Sequence, residues 1–205
     1  MLRGADRGGT SPARRIGIFG GTFDPPHLGH VRVAAEVADR LKLDRVLWIP
    51  ARRSPHKPDA ELTSDEVRLE MTRAATRGDP RFEVSDVELR RPEPSYSVDT
   101  LRALGERFGP GTELVLIIGL DQYEAFDAWH EPDAIRRLAT LAVMDRGGAG
   151  ADEPSAGGGV IRVPVERIDV SSTQVRASAA AGAPLAELVP APVARIIERE
   201  GLYRR

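Results

Sequence analysis

GGTFDPPHLGH, at residues 20–30, connects two segments that differ in hydrophobic periodicity. The preceding residues, IGIF at 16–19, form a short apolar run that is typical of a buried strand, and residues 31–41 carry apolar side chains at the spacing of an amphipathic helix. Glycines, prolines and histidines therefore lie on the turn between a predicted first strand and first helix. In an open parallel sheet such a turn presents backbone N–H groups at a helix N-terminus to ligands. The stretch predicts a site for an anionic ligand.

Each residue type in this turn suits such a site. Gly20 and Gly21 allow the backbone to approach a ligand closely because they carry no Cβ atom. His27 and His30 are three residues apart, so on a first helical turn they would share one face, and Gly29 between them leaves room for a flat or bulky group. The stretch contains neither G-x-x-x-x-G-K-[ST] nor G-x-G-x-x-G, which excludes a P-loop and a dinucleotide fingerprint.

The two histidines have two other interpretations, a plain surface loop and a metal site. The chain contains 4 histidines, and because two of them lie in this turn, a functional site is favoured over a loop. Zinc is disfavoured because the chain has no cysteine and because His56, the nearest other histidine, is followed by a lysine that would oppose a cation.

Strand-like and helix-like segments alternate along the rest of the chain. This alternation predicts an α/β fold, a doubly wound, mostly parallel sheet with helices on both faces. The predicted strands are 16–19, 45–50, 82–89, 113–118, 140–144 and 160–163, and the predicted helices are 31–41, 64–77, 97–108, 134–139, 171–181 and 192–200. Residues 147–159, rich in Gly, Ala, Ser and Pro, are typical of a mobile surface loop. We expect one domain at 14–205, preceded by a flexible tail at 1–13.

Composition argues against several functional classes. The formal net charge of -2 provides no general attraction to nucleic acids or acidic membranes. The absence of cysteine excludes disulfides and thiolate chemistry. No apolar stretch approaches the roughly 20 residues that span a bilayer, and residues 1–13 lack the apolar segment of a signal peptide. We therefore expect a cytoplasmic protein without nucleic-acid or membrane partners.

Three further residues allow a structural and a functional interpretation. Lys57 lies in a loop after the second predicted strand, on the ligand side of a parallel sheet, and is either a phosphate ligand or a solvated charge. Asp121 follows the central strand and could accept hydrogen bonds from ribose hydroxyls or cap a helix. Trp129, on the next turn, is by residue type more often part of a core than a platform for a ligand.

Two predicted helix starts carry hydroxyl groups. Ser97, like Ser95, would be a reasonable N-cap for the helix at 97–108. At residues 171–173, two serines and a threonine offer hydroxyls and N–H groups to an anion, with Arg176 one turn further on. A plain capped helix is the alternative at both places.

The motif His27-Leu28-Gly29-His30 resembles the H-x-G-H signature of the nucleotidyltransferase superfamily, which transfers adenylyl or cytidylyl groups. The longer string GGTFDP at 20–25 is similar to the nicotinate mononucleotide adenylyltransferases, and VSSTQVR at 170–176 resembles their I-S-S-T-x-[IV]-R element. The resemblance covers nearly the whole chain except 147–159. It implies a Rossmann-like nucleotidyltransferase fold and an enzyme of NAD biosynthesis that joins ATP and nicotinate mononucleotide into deamido-NAD and pyrophosphate.

The resemblance also implies roles for individual residues. The catalytic residues would be His27, His30, Lys57 and Arg176. The ATP-binding residues would be Gly20, Gly21, Thr22, Phe23, His27, Gly29, His30, Gly119, Asp121, Ser171, Ser172, Thr173 and Arg176. The residues that bind the pyridine nucleotide would be Lys57, Tyr96, Ser97, Trp129 and His130.

The implied reaction needs no general base, because its nucleophile is a phosphate monoester whose second pKa is about 6. Mg²⁺ is expected to be carried by ATP, with no metal site of the protein's own, since no carboxylate cluster is evident. Adenylyl transfer to pantetheine phosphate or flavin mononucleotide and a catalytically silent nucleotide-binding protein are the rival functions. The choice between nicotinate and nicotinamide, and whether the chain forms a homo-oligomer, are left open by the residues.

Overall fold

The computed structural model describes residues 14–53, 61–145, 159–166 and 168–204. Within these ranges, six parallel strands form one sheet in the order β3-β2-β1-β4-β5-β6. The strands are β1 Arg14–Gly21, β2 Arg45–Pro50, β3 Phe82–Val84, β4 Thr112–Gly119, β5 Thr140–Asp145 and β6 Val160–Pro164. The strand order reverses direction between β1 and β4, so a crevice for ligands opens at the carboxyl ends of these two strands.

Helices follow β1, β2, β3, β4 and β6 and cover both faces of the sheet, which confirms the predicted doubly wound α/β fold. They are α1 Leu28–Arg40, α2 Asp65–Thr76, α3 Ser97–Phe108, α4 Leu120–Glu124, a 3₁₀ turn Phe126–Ala128, α5 Pro132–Leu138, α6 Ser172–Ala180 and α7 Ala191–Arg199. Alternate side chains of β1 lie on opposite faces of the sheet and belong to different core clusters. Ile16 and Ile18 join a buried cluster with α3 and α5, whereas Phe19 joins the cluster beneath α1.

The predicted third strand was too long. The residues 85–89 were expected to continue it, but β3 ends at Val84 and the chain turns away. The ladder between β2 and β3 pairs only residues 46–48 with 82–84, and the N–H of Ser85 makes one more bond, to Trp48 O at 2.9 Å. Since β2 itself ends at Pro50, the alternating residues after Ser85 have no partner strand.

Helix starts account for the other corrections. Helix α1 begins at Leu28, so His27 is its N-cap and is not part of a first helical turn. Tyr96 is the N-cap of α3, so the expectation that Ser95 or Ser97 caps it is wrong: Ser97 is the first helical residue, and the Ser95 hydroxyl oxygen accepts the N–H of Arg52 at 3.1 Å. The predicted tail at 1–13 and nearly all of the predicted loop at 147–159 lie outside the described residues.

Candidate active site

His27 and His30 bind each other's backbone at the start of α1. The Nδ1 atom of His27 accepts the N–H of His30 at 3.3 Å, and the Nδ1 atom of His30 accepts the N–H of His27 at 3.2 Å. This reciprocal capping box satisfies two N–H groups that would otherwise lack intrahelical partners. The two imidazoles are stacked, with ring centroids 3.6 Å apart and an interplanar angle of 29°.

The capping box selects a tautomer for both rings. A nitrogen atom that accepts an N–H hydrogen bond carries no proton, and a neutral imidazole has one protonated and one unprotonated nitrogen. Because Nδ1 is the acceptor in His27 and in His30, each neutral ring donates through Nε2. Two stacked Nε2–H donors suit an oxyanion.

Two glycines give this turn its shape. A Cβ atom at Gly29 would lie 3.0 Å from His27 Nδ1, so the space that the sequence suggested for a ligand is filled by the His27 ring. Gly20, by contrast, is exposed, and a Cβ atom there would meet no heavy atom within 4 Å. The open side of the turn is therefore at the carboxyl end of β1.

The start of α6 contacts the same turn. Ser171 is the N-cap, and its side chain accepts the N–H of Gln174 at 3.2 Å, as the capped-helix interpretation expected. Ser172 instead donates its hydroxyl to Pro25 O at 2.9 Å. This bond joins residues that are 147 positions apart in the chain. The predicted ATP-binding segments at 20–30 and 171–176 are thus adjacent.

Arg176 strengthens this junction. Its Nη1 donates to Asp24 O at 2.8 Å, and its Nη2 lies 3.4 Å from Thr173 Oγ1. The side chain is only partly buried. A guanidinium carries five N–H donors, so Arg176 can hold the turn and still present donors toward an anion.

Asp24 holds the turn in place through buried hydrogen bonds, a role that the sequence analysis did not assign. The side chain is 5% exposed and accepts hydrogen bonds from Thr63 N–H at 3.1 Å and from the Tyr203 hydroxyl at 2.6 Å. Burial, together with the bond to Asp24, raises the pKa of the Tyr203 hydroxyl well above its usual value. Because its carboxylate is occupied by these donors, Asp24 acts as an anchor for the loop.

Arg68 was also missed, although it is fully buried. Its guanidinium donates to Thr22 O at 2.8 Å, Ala51 O at 2.7 Å and Thr63 O at 3.1 Å, and pairs with Asp65. It therefore joins the turn after β1, the loop after β2 and the start of α2. One signal was present in the sequence: residue 68 lies three and seven positions before the buried residues 71 and 75 on one helix face.

The residues predicted to bind a pyridine ring lie around the start of α3. The rings of Tyr96 and His130 are stacked, with centroids 4.3 Å apart. The Trp129 ring lies 5.3 Å from the Phe126 ring and packs on the core. Ser97 lines a small cavity together with Gly20, which brings the start of α3 next to the turn after β1.

The segment after β4 differs from the expectation for Asp121. Gly119 is the N-cap of α4, and its N–H donates to Gln122 Oε1 at 3.0 Å. Asp121 therefore does not cap the helix, because the chain turns into α4 one residue earlier, and its side chain is exposed in the first turn. Its assignment to a ribose hydroxyl stays a prediction.

Other predictions concern residues outside the described ranges, metal ligands and membrane spans. Lys57 and its neighbour His56 lie outside the described residues. In the described ranges, no three His, Cys, Asp or Glu side chains are grouped so that they could hold a metal ion. None of the helices in those ranges is long and apolar enough to cross a bilayer.

The chain is similar to known proteins over most of its length. The cytidylyltransferase-like family matches residues 18–178, from β1 into α6. A protein of Thermomicrobium roseum named probable nicotinate-nucleotide adenylyltransferase is 41% identical over 93% of this chain and 92% of its own length. A protein of the same name from Thermus thermophilus is 43% identical over 93% of this chain and 100% of its own length.

A solved structure shows the same fold at lower identity. It is the Plasmodium falciparum nicotinic acid mononucleotide adenylyltransferase complexed with NaAD, with a TM-score of 0.73, 19% identity, and coverage of 93% of this chain and 97% of that chain. From the family match and from relatives that are more than 40% identical over nearly their full length, the chain belongs to the cytidylyltransferase-like family and, within it, to the nicotinate-nucleotide adenylyltransferases.

Proposed function

We propose that the protein transfers the adenylyl group of ATP to nicotinate mononucleotide, giving deamido-NAD and pyrophosphate in NAD biosynthesis. The observation that carries the proposal is the capping box of His27 and His30 after β1, which leaves Nε2 as the N–H donor of each neutral ring. The names of the relatives that match over more than 90% of the chain supply the substrate.

The reaction is an in-line displacement at the α-phosphorus of ATP. A phosphate oxygen of nicotinate mononucleotide forms the new O–P bond, the bond between the α-phosphorus and the bridging oxygen breaks, and pyrophosphate leaves with the electron pair. The nucleophile is already an oxyanion at neutral pH, so no side chain has to remove a proton. The protein therefore has to align the reactants and stabilise negative charge.

His27 and His30 are assigned to the α-phosphate. Their Nε2–H groups would donate hydrogen bonds to its oxygens, and these bonds would shorten as negative charge develops in the transition state. Because the capping box orients both rings in advance, no reorganisation is required during the reaction, which is the condition under which such donors contribute most.

The start of α6 is assigned to the triphosphate. The N–H groups of its first turn carry partial positive charge, and Arg176 adds a full charge beside Asp24 O. Lys57 is proposed to bind phosphate oxygens of either substrate. Mg²⁺ would enter as MgATP, with mostly water ligands, as part of the substrate.

The start of α3 is assigned to the pyridine nucleotide. Tyr96 provides no side-chain hydrogen bond to the first turn, and the N–H groups of a first helical turn carry partial positive charge, which suits the nicotinate carboxylate. His130 and Trp129 would lie beside the ring. This arrangement supports the acid over the amide as substrate.

One assay tests the proposal. The pure protein is incubated with ATP, Mg²⁺ and either nicotinate or nicotinamide mononucleotide, and the dinucleotides are quantified by chromatography. We expect deamido-NAD and a strong preference for the acid. Equal use of both nucleotides would overturn the specificity but keep the chemistry. No product from either would overturn the function, and pantetheine phosphate would be tested next.

A further inference from the structure

Glu88 is a buried acid beside the active site to which neither the sequence motifs nor the proposed reaction assigns a role. It lies in the turn after β3 and is 7% exposed. With Gly20, Ser97 and Thr100 it lines a cavity of about 20 Å³ at the carboxyl ends of β1 and β4, which is about the space of one water molecule. Glu88 is therefore next to the proposed site of the pyridine nucleotide.

A hydroxyl group of α3 binds the Glu88 carboxylate. Thr100 Oγ1 donates to Glu88 Oε1 at 2.6 Å, and the Ser95 side chain helps to lower the pKa of this carboxyl. The Ser95 oxygen also accepts the N–H of Arg52 at 3.1 Å, and the Thr100 oxygen accepts a hydrogen bond from Arg91. The Thr100 hydroxyl thus accepts from an N–H group and donates its own proton to Glu88.

These two hydroxyls stand on either side of the segment that the substrate would contact. Ser95 comes directly before Tyr96, the N-cap of α3, and Thr100 lies one turn after it. Tyr96 makes no side-chain capping bond, so its own side chain does not fix the direction of the first helical turn. Glu88 supplies that constraint from the core side of the helix, through Thr100.

A neutral side chain could not replace this arrangement fully. An ionised carboxylate is an acceptor only, so it orients the Thr100 hydroxyl as a donor. A glutamine of the same size has one acceptor oxygen, and its amide N–H₂ would face a hydroxyl whose proton already points toward it. Burial raises the pKa of the Glu88 carboxyl, although the hydroxyls and Arg91 oppose the shift, so keeping an acid here costs stability.

We infer that Glu88 is a positioning residue for the pyridine nucleotide, acting through Thr100 on the first-turn N–H groups of α3. The inference rests on the proposed function, because it assumes that nicotinate mononucleotide binds at this helix start. The inference predicts different effects on the binding of the two substrates. None of the hydrogen bonds described above joins either hydroxyl to the ATP-binding segments at 20–30 and 171–176.

The test is steady-state kinetics with each substrate varied in turn. For Glu88→Gln we expect the KM for nicotinate mononucleotide to rise about tenfold, the effect of one lost hydrogen bond to a charged group, while the KM for ATP changes less than twofold. Thr100→Val, which keeps the shape but loses the hydroxyl, should do the same. Thr100→Ser restores the hydroxyl and should recover the wild-type KM.

A matched control and a folding check complete the design. Glu83→Gln removes an exposed carboxylate from β3 that pairs with Arg45, and it should leave both KM values unchanged. Thermal unfolding of each variant excludes misfolding, and Thr100→Val provides the test if Glu88→Gln does not fold. Equal rises in both KM values, or no rise in either, would overturn the role of Glu88. A wild-type protein that makes no deamido-NAD would instead overturn the proposed function, and with it this substrate for Glu88.

Discussion

Gly29→Ala is expected to slow turnover while leaving the stability of the protein nearly unchanged. The added Cβ atom would lie 3.0 Å from Nδ1 and 3.1 Å from Cε1 of His27, and 3.5 Å from Val170 O. The ring cannot move away without cost, because it stacks on His30 and its Nδ1 accepts the His30 N–H at 3.3 Å. A shift of a few tenths of an ångström would lengthen this already long hydrogen bond beyond its useful range.

The expected effects on stability and on rate differ in size. A glycine-to-alanine change inside a helix usually gains about 0.5–1 kcal/mol, and the loss of one hydrogen bond costs about 0.5–1.5 kcal/mol. These contributions nearly cancel, so we expect the free energy of unfolding to change by less than about 1 kcal/mol. A misplaced reacting group costs up to about 10²-fold in rate, so kcat should fall by roughly one to two powers of ten.

Gly105→Ala is the matched control, because an added Cβ atom there meets no heavy atom within 4 Å. It should raise the free energy of unfolding by about 0.5–1 kcal/mol and leave kcat unchanged. The assay is deamido-NAD formation at saturating substrate, combined with urea unfolding of both variants. Wild-type kcat in Gly29→Ala, or a loss of activity that only follows the unfolded fraction, would refute the reasoning.

Four further changes test the site and the groups that support it. His30→Ala should lower kcat by about 10²–10³-fold, the cost of one preorganised donor, while the protein stays folded by circular dichroism; near-normal turnover contradicts the assignment. Tyr203→Phe removes a donor to buried Asp24 and should cost about 1.5–3 kcal/mol in urea unfolding; an unchanged midpoint would mean that this bond contributes nothing. Arg68→Met leaves several buried carbonyls without their donor and should cost at least about 3 kcal/mol, measured in the same way. The raised pKa of Glu88 means that the folded state binds its proton more tightly than the unfolded state; its contribution to stability is therefore full below the unfolded pKa of about 4.3 and is lost as the pH rises through the folded pKa. We therefore expect the unfolding free energy of wild type, relative to that of Glu88→Gln, to fall as the pH rises across that window. A difference that does not change with pH would contradict this prediction.

Local patterns predicted the parts of the fold that depend on local interactions. The bounds of β2 and α3 were predicted to the residue, because a proline ends the apolar run of β2 and the apolar spacing of α3 is regular. The third strand was overextended because its length depends on how much of β2 remains to pair with, which is a property of the sheet. Helix α4 was missed because its five residues are too few to show a helical period.

The supporting groups of the site could not be predicted for the same reason. Arg68 and Tyr203 bind the turn after β1 from positions 46 and 179 residues away in the chain. Arginine and tyrosine side chains are seldom fully buried, and only the folded chain shows that Arg68 is buried and that Tyr203 is partly buried. Asp24 lies within the stretch 20–30, but its hydrogen-bond donors could not be identified from the sequence.

The capping box explains why one residue can cap a helix and also bind a ligand. The sequence analysis did not assign a capping role to these histidines. His27 and His30 divide the two roles between two atoms, since Nδ1 accepts a backbone N–H and Nε2 carries the proton of the neutral ring. The reciprocal bonds require one residue at the N-cap and the other at the third helical position. A spacing of three is therefore the one that lets both rings satisfy the helix and donate in parallel, and the same spacing that stabilises α1 prepares the two donors for a phosphate.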